Sequence, residues 1–227
     1  MIHATAISVY SVLMRYYISD LHFHHIALNT KMDRRGFASV EAMNAHMIAR
    51  WNETVSERDE VVIVGDLSYG KGAETNKVVS QLKGKLFLIE GNHDKRFLDD
   101  KEFDTSRFGW IKRYAELNDN KRKVILCHYP IVCYNGQYLL DESGAPRTYM
   151  LYGHVHDTQD QMLVDQFQRI TRATPIRDRH IPCQMINCFC MYSDYRPLTL
   201  DEWIEVEKKR EREGSILKAY PESTGDH

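Results

Sequence analysis

Five short apolar runs constrain this chain more than anything else in it: RYYIS (15–19), EVVIV (60–64), KLFLIE (85–90), KVILC (123–127) and TYMLY (148–152). Each is too short for a core helix and rich in β-branched or aromatic residues, so each reads as a buried strand. Each is also followed at once by a polar cluster: DLHFHH, GDLSYG, GNHDKR, HYP and GHVHD, in that order. Strands that repeatedly hand over to Asp, Asn or His predict an α/β fold whose ligands gather at the carboxyl ends of the strands. A chain of 227 residues, 43% hydrophobic, can bury such a sheet in one large domain, given roughly 100 to 200 residues per domain.

Between the strands, SVEAMNAHMIARWNETV (39–55) sets Val40, Met43, Met47, Trp51 and Val55 on one helical face, with Ser39 placed to cap and Glu41 in the first turn. A second helix is predicted over 73–82, ending toward Gly84, and a last one after the capping box of Thr199 and Glu202. CQMINCFCM (183–191) reads as one further strand. Residues 1–213 are expected to form a single domain, and the polar residues 214–227 a loose tail. The formal charge of −2 provides no basic stripe of the kind that tracks a nucleic-acid backbone. No run approaches the ~20 apolar residues of a membrane span. The five cysteines, Cys127, Cys133, Cys183, Cys188 and Cys190, contain no C-x-x-C pair and read as reduced core residues of a cytoplasmic protein.

Taken singly, Asp-x-His or His-x-His is an ordinary loop. Several such clusters at strand ends, all offering oxygen or imidazole and none a thiolate, suit first-row divalent ions such as manganese, iron, zinc or nickel. Burying that many Asp and His side chains together without a cation is costly.

The order Asp20-x-His22, Gly65-Asp66, Gly91-Asn92-His93-Asp94, a strand-end His128 and Gly153-His154-x-His156 resembles the calcineurin-like metallophosphoesterase superfamily from about Tyr16 to Pro197. With SDLHFHH, RGFASVEAMN, GDLSYG, LCHYP and LYGHVH it is similar to a small stand-alone branch found in bacteria and phages. Members of that branch begin near the first strand with a Met like Met14, so residues 1–13 are expected to be an extension or a misplaced start. The resemblance implies two mixed β-sheets packed as a sandwich flanked by helices, holding two divalent ions. One ion would be bound by Asp20, His22, Asp66 and His156, the other by Asp66, Asn92, His128 and His154, with Asp66 bridging. It further implies a phosphoesterase in which a metal-bridging hydroxide attacks a phosphomonoester or phosphodiester. Two ions about 3.5 to 4 Å apart can acidify that hydroxide and clamp the phosphate oxygens. His93, the one histidine of these motifs that the family does not use as a ligand, would protonate the departing oxygen. Asp94 is left between loop support, biasing the tautomer of a neighbouring histidine, and a helix or turn cap, and Gly91 is read as allowing a sharp turn after its strand.

This chain departs from the protein Ser/Thr phosphatases of the superfamily, which carry an Asp three residues after the bridging one; here Tyr69 stands there, and His93 lacks an evident orienting partner. His24 replaces a glycine usual in the branch, and His25 is expected to line the phosphate pocket. Arg34, Arg35, Lys95, Arg96 and Arg147 lie on segments beside the motifs, and Arg35 and Asn92 are assigned to substrate binding with His25. The turn signals of 133–148 predict a hairpin or lid that shapes specificity. The favoured substrate is a small phosphorylated molecule, nucleotide-like rather than nucleic acid. The alternatives are a nuclease working with a partner and a non-catalytic scaffold on the same fold.

Overall fold

The computed structural model describes residues 13–175 and 183–213. One sheet has five strands in the order β4-β3-β2-β1-β9. These are β1 (Arg15–Ile18), β2 (Glu60–Ile63), β3 (Lys85–Ile89), β4 (Phe108–Lys112) and β9 (Leu198–Thr199). The first four run parallel and β9 is antiparallel to β1. The other sheet, ordered β5-β6-β7-β8, contains β5 (Tyr114–Asp119), β6 (Arg122–Cys127), β7 (Thr148–Tyr152) and β8 (Met185–Asn187). Here β6, β7 and β8 are parallel and β5 is antiparallel. The expected sandwich of two mixed sheets is therefore the architecture observed.

Burial explains the layering. Tyr17, Val62, Val64, Phe87 and Ile89 of the first sheet pack against Val124, Leu126, Leu151 and Ile186 of the second to form the central core. The opposite face of the first sheet is covered by α2 (Val40–Thr54) through Met43, Met47 and Trp51, and by α3 (Gly72–Val79) through Val78 and Val79. Ser39 caps α2 by accepting from the Ala42 amide, as its sequence predicts. The far face of the second sheet is covered by α5 (Gln159–Ala173), and α6 (Leu200–Arg212) closes the central core with Leu200 and Trp203. Thr199 and Glu202 form the predicted capping box of α6. The short helices α1 (Ile26–Thr30) and α4 (Lys95–Leu98) sit in the loops that leave β1 and β3.

At one rim the two sheets are tied together, because the Ser19 amide donates to the Cys188 carbonyl and the Cys190 amide to that of Ser19. The strand expected over 183–191 accordingly stops at Asn187, where the chain leaves the second sheet to pair with Ser19. No helix among the described residues is long and apolar enough to cross a membrane. The tail expected over 214–227, and all but the last residue of the expected extension over 1–13, lie outside the described residues.

Candidate metal centre

Asp20, Asp66 and Asn92 follow β1, β2 and β3, while His128 and His154 follow β6 and β7, so loops from both sheets meet at the tied rim. The turns that aim them are strained: Asp20, His22, Asp66, His154 and His156 have φ of 57°, 50°, 55°, 72° and 47°. Non-glycine residues in this left-handed region are uncommon, and such strain concentrates at functional sites. Here the strained positions include five of the seven residues expected to hold metal.

Their atoms converge. His22 Nε2 stands 3.2 Å from His156 Nε2 and 3.4 Å from Asp66 Oδ2. His156 Nε2 is 3.5 Å from Asp20 Oδ1. On the other side of Asp66, Oδ2 is 3.3 Å from His128 Nε2, which is 3.1 Å from Asn92 Oδ1, itself 2.8 Å from His154 Nδ1. Adjacent ligand atoms around a first-row ion with bonds of about 2.0–2.2 Å stand roughly 2.8–3.6 Å apart, in tetrahedral or octahedral geometry. The spacing matches that edge length, and two imidazole nitrogens facing each other at 3.2 Å require a cation or shared proton between them. The residues fit divalent metal, and Asp66 Oδ2 belongs to both groups of atoms.

Glycines make the approach possible. A Cβ on Gly91 would lie 2.2 Å from Asp66 Oδ1, and one on Gly153 2.5 Å from Asp20 Oδ2. The chain turns directly after Gly91 as expected, but Gly91 does not adopt a left-handed φ; what requires a glycine there is the close approach to Asp66.

A profile of the calcineurin-like phosphoesterase superfamily domain matches residues 14–170. The chain belongs to this superfamily. An uncharacterised protein of Methanocaldococcus jannaschii is 29% identical over 196 residues, covering 86% of this chain and 91% of that one. A crystal structure of a protein of unknown function from Aquifex aeolicus superposes with a TM-score of 0.60 at 19% identity, over 86% of this chain and 100% of that one, and so shares the fold. Superfamily membership and the donor set together support a metal-dependent phosphoesterase.

In this phosphoesterase domain several ligands are held by residues behind them. The Val64 carbonyl lies 2.9 Å from His128 Nδ1, which leaves Nε2 free to face the cluster. Asp33 Oδ1 lies 2.8 Å from His156 Nδ1 and fixes that ring in the same way. Asp33 is in turn gripped by Arg35 through Nη2 at 2.9 Å and Nε at 3.1 Å. The assignment of Arg35 to substrate binding is thereby corrected. Its guanidinium is fully buried and donates to the Asp20 and Leu21 carbonyls, so it braces the first metal loop from behind. Asp33 carried no motif by which sequence could single it out.

Asp94 is fully buried and accepts from the amides of Asp66, Leu67 and Gly91. Its side chain makes no helix-capping bond and no hydrogen bond to a histidine among the described residues, so of its three readings loop support is the observed one. Burial and the Asp66 charge push its carboxyl up to about 7, against the pull of those amides. Burial lowers His22 to about 3 although Asp66 and Asp20 oppose it. For His128 burial is outweighed by the hydrogen bond and charge of Asp66 and the charge of Asp20, which raise it to about 9. His156 rises to about 10 against burial because Asp20 and Asp33 both hold it.

The His93 amide donates to Asp66 Oδ1 at 2.9 Å, and its half-buried ring stands 5.1 Å from that of His22. Its other ring neighbours are Tyr69 at 5.7 Å and His25 at 5.8 Å. His24 faces away, bonded to Asn44. The lid expected from 133–148 is corrected. The chain must return from His128 at the carboxyl end of β6 to the start of its parallel neighbour β7. The hairpin closed by Leu140 and Pro146 accordingly lies at the end of the sheet away from the ligands, with Arg147 bonded there to Lys123. Only Tyr129, exposed and edge-on to His154 at 4.6 Å, keeps this connection at the site.

Proposed function

We propose that this domain hydrolyses a small phosphate monoester or diester, nucleotide-like in character, using two divalent ions. The observation that carries the reading is the Asp66 carboxylate, with one oxygen 3.4 Å from His22 Nε2 and 3.3 Å from His128 Nε2, in the place of a bridge between two ligand sets. Bound there, two ions supply a Lewis-acid clamp on the phosphate and acidify the attacking water. Asp20, His22 and His156 would hold one ion with Asp66; Asn92, His128 and His154 the other. Two carboxylates against four neutral imidazoles and an amide leave the loaded site cationic, which attracts the phosphate. Asn92 and His154 are exposed and admit the substrate, whereas Asp20, His22 and His128 are buried and fix the frame. His93, half-buried with its backbone pinned to Asp66 and its ring 5.1 Å from that of His22, would deliver the proton that a departing ester oxygen needs.

The test is hydrolysis of aryl and alkyl phosphate esters by metal-stripped protein, with manganese, zinc, nickel or magnesium added back. Activity should return with metal and vanish in Asp66→Asn. His93→Ala should lose about 10²- to 10⁴-fold on an alkyl ester and much less on a nitrophenyl ester, whose leaving group needs no proton. Equal losses on both esters would remove His93 from the acid role, and a wild type that binds no metal would refute the ligand assignment.

A further inference from the structure

The ring of Tyr69 is covered on both faces. His25 stacks on it with centroids 4.1 Å apart and planes 8° from parallel, and the Arg96 guanidinium carbon sits over the ring at 4.6 Å. At stacking distance His25 occupies one face, so Arg96 lies on the other. Each member comes from a different ligand loop: His25 follows His22, Tyr69 follows Asp66, and Arg96 follows Asn92. The loops are joined, because the Tyr69 amide donates to the Phe23 carbonyl and the Asp66 and Leu67 amides to Asp94, two residues before Arg96. One end of the stack is 5.4 Å from the His22 ring, and its middle passes the His93 ring at 5.7 Å. The other end is an exposed guanidinium.

Arg15, Arg35, Arg50, Arg113 and Arg122 each pair with a carboxylate. The Arg96 side chain has no hydrogen-bond or ion-pair partner among the described residues; what holds it is the ring face. A guanidinium held over an aromatic ring, with no hydrogen bond of its own, keeps its N–H donors free for a carboxylate or phosphate, which they can meet bidentately. It is also ordered before any ligand arrives, which lowers the entropic cost of binding. Because both its faces are taken, Tyr69 is no platform for a nucleobase. It is a mount for Arg96.

We propose that Arg96 docks a second anionic group of the substrate, so that the ester this site takes carries a phosphate or carboxylate beyond the phosphate that reacts. Arg96 would be a binding residue and Tyr69 a positioning residue acting through it. The inference rests on the phosphoesterase reading above. It explains why a tyrosine follows the bridging Asp66 here: the ring holds a cation beside the proton donor.

The experiment measures equilibrium binding to metal-loaded protein, by calorimetry, of alkanediol bisphosphates of increasing spacer length and of the matching monophosphates. In the wild type one spacer length should bind about tenfold or more tighter than its monophosphate. Arg96→Ala and Tyr69→Leu should bring that ratio close to one, while Arg96→Lys keeps part of it and Tyr69→Phe nearly all. Arg96→Glu should favour the monophosphate. A wild-type ratio near one at every spacer length, or a preference that survives Arg96→Ala, overturns the proposal while monophosphate binding leaves the phosphoesterase reading standing. If neither compound binds although metal is taken up, both readings fall together.

Discussion

At the scale of single residues, the buried Asp33–Arg35 pair carries a role that no ligand motif announces. Asp33 sets which nitrogen of His156 faces the metal, so Asp33→Ala should weaken metal binding about 10- to 100-fold in titration calorimetry. Arg35→Met should act differently, leaving the Asp33 carboxylate without its cation and two loop carbonyls without donors. Breaking a buried pair in this way costs ~3–5 kcal/mol, readable as a lower urea midpoint even in chelator. Gly91→Ala is expected to fold and lose metal, since its Cβ would press on Asp66 Oδ1; metal content after dialysis decides it. The candidate ligands were legible as residue types behind strands. Their supporters were not, because Asp33 reaches His156 across 123 positions of chain.

At the scale of elements, legibility followed burial. Strands β1, β2, β3, β6 and β7 are interior or nearly so, and their apolar runs announced them. Strands β4 and β5 lie at sheet edges and have half-exposed patterns, and β9 is two residues long, so none stood out. Helix α5 escaped notice because its buried face is largely polar: Gln161, Gln168 and Thr171 are inside, while Leu163 and Ile170 are 58% and 60% exposed. The reason is the free edge of β8. Gln168 accepts from the Met185 amide and Thr171 from that of Cys183, so the helix satisfies donors that no neighbouring strand takes up among the described residues. Gln168→Leu, although more apolar, should therefore destabilise the fold by ~1–3 kcal/mol, whereas Ile170→Ser should stay within about 0.5 kcal/mol in the same denaturant unfolding experiment.

At the scale of the whole molecule, metal and pH act on one cluster. In metal-free protein His128 and His156 hold protons more tightly folded than unfolded, being raised from 6.5 to about 9 and about 10. Their contribution is complete below about pH 6.5 and is lost as pH rises through the folded values. His22 runs the other way: lowered to about 3, it contributes above about pH 6.5 and loses that contribution as pH falls. Asp94, raised from 3.8 to about 7, opposes His22: its contribution is complete below about pH 3.8 and is lost as pH rises toward 7. Metal-free thermal stability is therefore expected to be level between about pH 4 and 6.5 and to fall above it. Metal requires neutral imidazoles, so binding strengthens with pH, and the melting-temperature gap between loaded and stripped protein should widen from about pH 6.5 to 9. A gap that narrows over that range would show that these histidines are not the ligands.

Sequence alone determined where the central strands fall along the chain, and that each hands over to Asp, Asn or His at its carboxyl end. Local periodicity and residue chemistry carry that information along a few consecutive positions. Tertiary structure decided what depends on chain-distant approach: that Asp66 has one oxygen near both histidine groups, that Arg35 braces a loop and touches no substrate, and that residues 133–148 turn away from the site. Each is set by how two sheets are tied at one rim, a relation between segments that no local pattern encodes.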